Sequence, residues 1–291
     1  MKPQVSVIIP VRDDTVRLAK CLKALEKQTL SKDLFEVIVV DNNSRPPISE
    51  SAVNSEKINI RLLKESINSS FAARNNGASN AFGDFLAFTD ADTIPDSTWL
   101  NSGIESLRSN RYAAFSGGKV KIMLSKKPDA VECFEYFYGF DQVRYIKKHH
   151  FAVTANMFTT KEMFIKTGGF NSELKSGGDK EWGERAIKYG KGVYCKNAVV
   201  QHPARKNWDE LKIKIERTLG GYVQINSNKN ISKFRMLTEI TGDMFPVKQV
   251  LDLFFIKRGP LFWKIKALRI LIKLKWYRSF LKLKFLLTMK L

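Results

Sequence analysis

Phe85-Leu86-Ala87-Phe88 runs straight into Thr89-Asp90-Ala91-Asp92. An unbroken apolar run followed by two carboxylates predicts a strand buried on both faces that stops abruptly at solvent. The same shape recurs twice upstream. Val5-Ser6-Val7-Ile8-Ile9-Pro10 leads into Arg12-Asp13-Asp14, and Phe35 to Val40 leads into Asp41-Asn42-Asn43-Ser44. Ile58 to Leu63 predicts a further strand. Between these runs, Leu18, Leu22 and Leu25 recur at helical steps within 14–27, and residues 71–82 read as a second helix weakened by Gly77. Arg45-Pro46-Pro47 bars a helix there. Alternating strands and helices predict an α/β fold, a mostly parallel central sheet flanked by helices. In such sheets ligands bind outside the carboxyl ends of the strands, where the acids and amides cluster.

The second half is less regular. Residues 129–148 predict one helix rich in aromatics, 179–189 a short helix, and Gly192 to Val200 a strand. Asn207 with Glu210 three positions on marks the start of a long helix. The aromatics Phe134, Tyr136, Phe137, Tyr138 and Phe140 suit a core, or a stack against an acceptor sugar. Over 291 residues, 44% hydrophobic and 27% charged content excludes wholesale disorder and collagen-like repeats. Cys21, Cys133 and Cys195 are too scattered for a zinc knuckle or a disulfide framework, which suits a reducing compartment. A strand-like run almost at the N-terminus argues against a cleaved signal peptide.

Each candidate residue has a bland reading beside the chemical one. Asp90 and Asp92, two apart in extended chain, point the same way and suit a hard cation or phosphate work, or form a solvated loop. Asp41-Asn42-Asn43-Ser44 is a turn, or a nucleotide contact at a strand end. Arg74, in Ala73-Arg74-Asn75-Asn76-Gly77, is a surface charge or a diphosphate ligand. In Ser176-Gly177-Gly178-Asp179-Lys180-Glu181, Asp179 caps a helix or serves as a well-held general base. His202 is structural or a ligand, and His149-His150 reads as loop or surface.

Taken in order, these segments resemble the inverting glycosyltransferases of family 2. The matching parts are Val-Ser-Val-Ile-Ile-Pro at 5–10, Val-Ile-Val-Val-Asp-Asn-Asn-Ser at 37–44 and Ala-Arg-Asn-Asn-Gly at 73–77. Phe-Thr-Asp-Ala-Asp at 88–92, Gly-Gly-Phe at 168–170 and Gly-Asp-Lys-Glu-Trp-Gly-Glu-Arg at 178–185 complete the series. The resemblance implies the GT-A nucleotide-diphospho-sugar transferase fold. It implies that Pro10 and Arg12 line a base pocket, that Asp41 and Asn42 lie near base and ribose, and that Arg74 lies by the nucleotide. Asp90 would approach the ribose. Asp92, with His202, would hold Mn²⁺ or Mg²⁺ on the diphosphate. Asp179 would be the catalytic base, and Arg185 would support its helix or meet diphosphate. Two departures stand out. Many members have paired acids where this chain has Asp41-Asn42, which leaves a UDP-sugar, the first expectation, open to thymidine or guanosine donors. Gly178 replaces an acid before the base and leaves Glu181 as a rival base.

The formal net charge is +20, and residues 251–291 supply +10 of it, eleven Lys/Arg against Asp252. The expected division is therefore a catalytic domain at 1–225 and a basic helical extension at 226–291. Within 260–291, Lys266, Arg269 and Lys273 share one helical stripe, and Lys275, Arg278 and Lys282 another. That pattern predicts two short amphipathic helices with a break near Lys275, lying on an anionic membrane surface. No run approaches the roughly 20 apolar residues that span a bilayer. The expected protein is a metal-dependent inverting transferase. It sits peripherally on the cytoplasmic face of the membrane and extends a glycan or lipid-linked acceptor of the cell envelope. A nucleotidyltransferase would need a glycine-rich loop after the first strand, and Val11-Arg12-Asp13-Asp14 has no glycine. A non-enzymatic anionic-surface binder leaves the strand-end acids unexplained. Basic residues gather in the tail rather than among aromatics across the body, so nucleic acid is not an expected partner.

Overall fold

The computed structural model describes residues 2–227 and 233–288. In chain order the elements are β1 (Val5–Val11), α1 (Thr15–Leu25), β2 (Phe35–Asp41), α2 (Glu50–Val53), β3 (Asn59–Lys64), α3 (Ser70–Ser79), β4 (Phe85–Thr89), β5 (Ile94–Pro95) and α4 (Trp99–Arg108). There follow β6 (Ala113–Met123), α5 (Ala130–Tyr138), α6 (Gln142–His149), β7 (Asn156–Thr160), α7 (Lys161–Lys166), α8 (Gly178–Ala186) and β8 (Lys191–Pro203). The last helices are α9 (Trp208–Ser227), α10 (Lys233–Met244), α11 (Val247–Phe255) and α12 (Leu261–Thr288). The chain divides into two compact units, Met1–Lys121 with Phe140–His202, and Ile122–Gly139 with Pro203–Leu291. The boundary expected at 225/226 falls within α9 instead. Of the tail expected over 226–291, residues 228–232 and 289–291 lie outside the described residues.

The strands form one sheet in the order β3-β2-β1-β4-β7-β6-β8-β5. β1, β2, β3 and β4 are parallel, with Val5–Val11 in register with Phe35–Asp41. Every residue of β2 is buried, so its run of Val and Ile shows no alternation, as a strand covered on both faces requires. Pairing of β1 with β4 ends at Ile8 and Phe88. Pro10 lies beyond that point, where its missing donor breaks no bond on the β4 side. The parallel register brings the ends of β1, β2 and β4, with their polar residues, to one edge. β7 is antiparallel to both β4 and β6. Asn156 locks this half. Its buried amide donates to the carbonyls of Lys119 and Ala198, both at 3.0 Å, and accepts from the Trp99 indole at 2.9 Å. β8 is thereby fixed, and His202 stands near its end.

The helix expected over 129–148 is two helices. Phe140 takes a left-handed backbone (φ 50°), and Asp141 restarts the chain as N-cap of α6 by accepting from the Arg144 N–H. The second unit packs α5 with α9, α11 and α12 around Cys133, Leu211, Leu253 and Leu271. Phe134 and Phe137 belong to that core. Glu135, also buried, meets Arg205 at 2.6 Å and Lys214 at 3.0 Å. Burial opposes its ionisation, but the two cations outweigh that and hold its carboxyl down at about 2. The break expected near Lys275 is absent, because α12 is one continuous 28-residue helix. Its two basic stripes have different partners. Lys275 and Lys282 turn inward to Asp243 at 2.6 and 2.9 Å, whereas Arg269 and Lys273 remain exposed.

Gly103 on α4 faces Phe158 of β7, and a Cβ there would come within 2.2 Å of the ring. Gly103→Ala is expected to destabilise the fold by about 1–3 kcal/mol through overpacking. Urea unfolding checks this. Adding Phe158→Leu should cost less than the sum of the two single changes, since the two sites touch.

Candidate functional site

β4 ends by presenting Asp90 and then Asp92 across a turn. Thr93 fastens the turn by donating to the Asp90 carbonyl from its hydroxyl at 2.8 Å and from its N–H at 3.1 Å. His202 comes from β8 and is buried, its ring 4.7 Å from that of Phe140. Its Nε2 lies 3.6 Å from Asp92 Oδ1. One ligand atom from each of Asp90, Asp92 and His202 falls within 4.8 Å of the others. Two carboxylates and an imidazole at that spacing suit one divalent cation. Burial raises the Asp92 carboxyl above the ordinary range. His202 and Arg17 oppose that shift, and Asp90 reinforces it. The Arg17 guanidinium stands 3.8 Å from Asp92.

Arg74, on α3, is almost wholly buried, with 5% of its side chain exposed. It donates to Asp90 Oδ1 at 2.5 Å and to the Ser70 carbonyl at 3.1 Å. Its Nε is buried and has no hydrogen-bond partner among the described residues.

α8 carries Asp179. The helix is capped by Gly177, whose φ of 80° favours glycine, and not by Asp179, which sits inside the first turn. A Cβ on Gly178 would press within 2.8 Å of the Phe71 ring, so glycine permits this approach of α8 to α3. Asp179 accepts from the Lys180 N–H at 2.9 Å. Burial pushes its carboxyl up to about 6. The Lys180 N–H and the Arg74 charge pull the other way, and Asp90 adds to the rise.

Glu181 and Arg185 are bound to each other by two contacts of 2.6 and 2.8 Å. Arg185 also donates to the carbonyls of Thr167 and Gly169. Its guanidinium thus ties α8 to the turn at 167–170. Asp41 is buried at the end of β2, and its carboxylate accepts from the N–H groups of Ser44 (3.0 Å) and Ile48 (2.9 Å). Burial opposes its ionisation, yet the Ser44 hydroxyl and those N–H groups hold it below the ordinary range. Asn42 donates to the carbonyls of Ile67 and Glu65. Both residues build the loop beyond β2. Pro10 is half-buried, and Arg12 is exposed, bonded to Asn68 and 3.5 Å from Asp13.

Two residues near the cluster escaped the sequence reading. Arg17 is a helix-surface cation with nothing in the sequence to mark it. Asn75 follows Arg74 in a quoted motif, and its amide pairs with Phe170, donating to the carbonyl at 2.7 Å and accepting from the N–H at 2.9 Å. His149 and His150 are exposed, and His150 closes α6 with φ 58°.

The family model for glycosyl transferase family 2 matches residues 6–168. The chain belongs to glycosyl transferase family 2. It is an enzyme that transfers sugars. It is 34% identical over 227 residues to the glycosyltransferase AglE of Haloferax volcanii, covering 77% of this chain and 74% of that one. It is 24% identical over 209 residues to a Methanococcus voltae transferase named for dolichyl N-acetyl-glucosaminyl phosphate, covering 67% and 65% respectively. Among solved structures, Staphylococcus aureus TarS 1–349 in complex with UDP superposes with a TM-score of 0.56 at 16% identity, covering 97% of this chain and 90% of that one. The Pyrobaculum calidifontis mannosyltransferase PcManGT with GDP-Man and Mn²⁺ gives 0.54 at 15% identity, covering 100% and 77%. These structures share the GT-A fold with this family 2 chain.

Arg185→Ala is expected to lower unfolding stability by about 1.5–3 kcal/mol, since it strands Glu181 and two carbonyls. Glu181→Gln, which leaves the carbonyl contacts in place, should cost less. Chemical denaturation of both variants checks the order.

Proposed function

We propose that this family 2 enzyme is a metal-dependent inverting glycosyltransferase that uses a nucleotide-diphospho-sugar. One observation carries the reading: two carboxylates and a buried imidazole converge within 4.8 Å beside a buried guanidinium whose Nε has no partner among the described residues. Such a set fits Mn²⁺ or Mg²⁺ together with a diphosphate. Asp90, Asp92 and His202 would hold the cation, and a phosphate oxygen would satisfy the Arg74 Nε–H. When bound, the cation supplies positive charge at the diphosphate, where negative charge grows as the sugar leaves.

Asp179 is the proposed base. An acceptor hydroxyl gives its proton to the Asp179 carboxylate while its oxygen attacks the anomeric carbon in line. The bond from that carbon to the diphosphate breaks, the electron pair leaves with the nucleoside diphosphate, and the configuration inverts. Arg74 stays fixed between Asp90 and the leaving group. A pKa near 6 keeps Asp179 ionised at neutral pH while leaving it basic enough to hold a proton. Glu181, the rival base, is held in its pair with Arg185. Pro10, Arg12, Asp41 and Asn42 frame the base and ribose side, with Asp41 and Asn42 shaping the loop.

Solved neighbours hold UDP, UDP-GlcNAc and GDP-Man, which supports a nucleotide-sugar donor and leaves the base open. The Methanococcus relative is named for a dolichyl-linked sugar phosphate, which supports a lipid-linked or glycan acceptor of the cell envelope. The enzyme then works peripherally at the cytoplasmic membrane face.

A panel of nucleotide sugars, each assayed with Mn²⁺, Mg²⁺ or EDTA, tests the reading. Turnover of one donor only with metal is expected, abolished in Asp92→Asn. Asp179→Asn should keep donor binding and lose about 10²–10⁴-fold in kcat. The pH profile gives a second check. Below about 6 the carboxyl is protonated and cannot accept, so kcat/KM should rise through that value and level off above it. A carboxyl with a raised folded pKa favours the fold at acid pH and loses that contribution as pH rises through about 6. Asp179→Asn should therefore gain thermal stability over wild type at pH 8, and less at pH 5. An Asp179→Asn variant with wild-type turnover sinks the base assignment.

A further inference from the structure

We propose that α11 and α12 form a surface that docks on an anionic lipid bilayer, with the apolar side chains in the interface and a subset of the basic residues at the headgroups. This deepens the membrane-face reading above and rests on it for the side of the membrane.

Leu261, Ile265, Trp276, Phe280, Leu283 and Leu287 of α12 are all solvent-exposed, from 44% at Leu283 to 78% at Leu287. They recur at steps of four or three, with Ile265 and Trp276 about three turns apart, so they lie along one stripe. The opposite side of α12, with Ala267, Leu271 and Leu274, is buried in the core of its unit. The helix therefore has two apolar faces and has filled only one. α11 repeats the pattern. Val250 and Leu253 pack inward, whereas Val247, Leu251, Phe254 and Phe255 are exposed, Phe255 at 79%. The Trp276 indole donates to the Met244 carbonyl at 3.2 Å, just before α11. Lys264 donates to the carbonyls of Phe254 and Ile256 at 3.0 and 2.6 Å, at its end. These bonds lay α11 alongside α12, and the two exposed faces are neighbours.

Charge decides the occupant. The inward basic stripe is partly offset within the unit: Lys275, Arg278 and Lys282 all meet Asp243, at 2.6, 3.6 and 2.9 Å, and Lys282 also meets Glu239 at 3.0 Å. Burial disfavours the Asp243 anion, but Arg278, Lys275 and Lys282 outweigh that and hold its carboxyl below the ordinary range. Arg269 and Lys284 on α12, Lys248 on α11 and Lys257 just beyond it are exposed next to the apolar stripe, as is Lys273, whose ammonium lies 4.0 Å over the Trp208 ring. A second copy of the same face would bring these cations against each other, whereas acidic headgroups complement them. Among the described residues no helix is long and apolar enough to cross a membrane. The geometry is that of a helix lying in the interface.

Flotation of the full chain with vesicles tests this, using equal parts phosphatidylglycerol and phosphatidylcholine against phosphatidylcholine alone. About tenfold more protein is expected to float with the anionic vesicles, falling as salt rises. Phe280→Glu with Leu283→Glu, and separately Phe255→Glu, should each abolish most of it while keeping wild-type circular dichroism and donor turnover. Both variants alter exposed positions, so folding should survive. Wild-type protein that turns over donor but floats no better than the variants overturns the proposal. So does a concentration-dependent dimer, seen by light scattering without lipid and lost in the variants, which gives the face to a second copy. Flotation without turnover of any donor leaves this surface standing and removes the transferase site instead.

Discussion

Arg74 and Asp90 form the contact on which the site depends. Two carboxylates within a few ångströms of one another, both half out of water, repel. A guanidinium buried beside them offsets part of that charge, and its place is set by packing. Gly77 lets α3 lie on the sheet, since a Cβ there would run into Ile8 and Val40. α3 is thereby pressed against β1 and β2, and Arg74 is left with 5% of its side chain exposed, beside the part-exposed Asp90. The remaining negative charge stays with Asp92, whose carboxyl is raised above its ordinary range by burial. Under the proposed function, a cation held by these strand-end acids would offset the charge that grows on a departing diphosphate.

The second constraint is how Asp179 is held. Its helix approaches α3 because Gly178 has no side chain to collide with Phe71, and Arg185 pins the helix to the turn at 167–170. Asn75 pins the same turn to α3 through Phe170. The elements that bear Arg74 and Asp179 are thus linked through one short turn. That linkage gives Asp179 its surroundings, half-buried and within reach of the Arg74 charge.

The parallel half of the fold was legible because buried strands leave an unmistakable trace. β1, β2 and β4 are apolar runs that end in polar residues, and the register places those ends together. Asp90, Asp92 and Arg74 stand in the quoted motifs, whereas His202 is a lone histidine beyond a predicted strand, structural or a ligand. Other features depend on tertiary context. The break between α5 and α6 turns on a left-handed backbone at Phe140, a residue with no turn propensity of its own. Asp41-Asn42-Asn43-Ser44 reads as a turn or a nucleotide contact, and the Asp41 carboxylate does fasten the turn, accepting from the N–H groups of Ser44 and Ile48 a few residues on. The tail's two basic stripes suggested a broken helix, since the partners of one, Asp243 and Glu239, lie on a different helix. Arg17 reaches Asp92 from a helix surface and leaves no trace in the sequence.

The central claim is that the strand-end acids act as a cation and diphosphate site. It is tested most directly by titrating UDP and GDP into the protein by calorimetry, with Mn²⁺ and again with EDTA. If cation and diphosphate share Asp90, Asp92 and His202, each must strengthen the other's binding by the same factor. Nucleotide affinity is expected to rise about tenfold or more with Mn²⁺, and Asp92→Asn should erase the difference. Equal affinity in Mn²⁺ and EDTA for the wild-type protein would contradict the account.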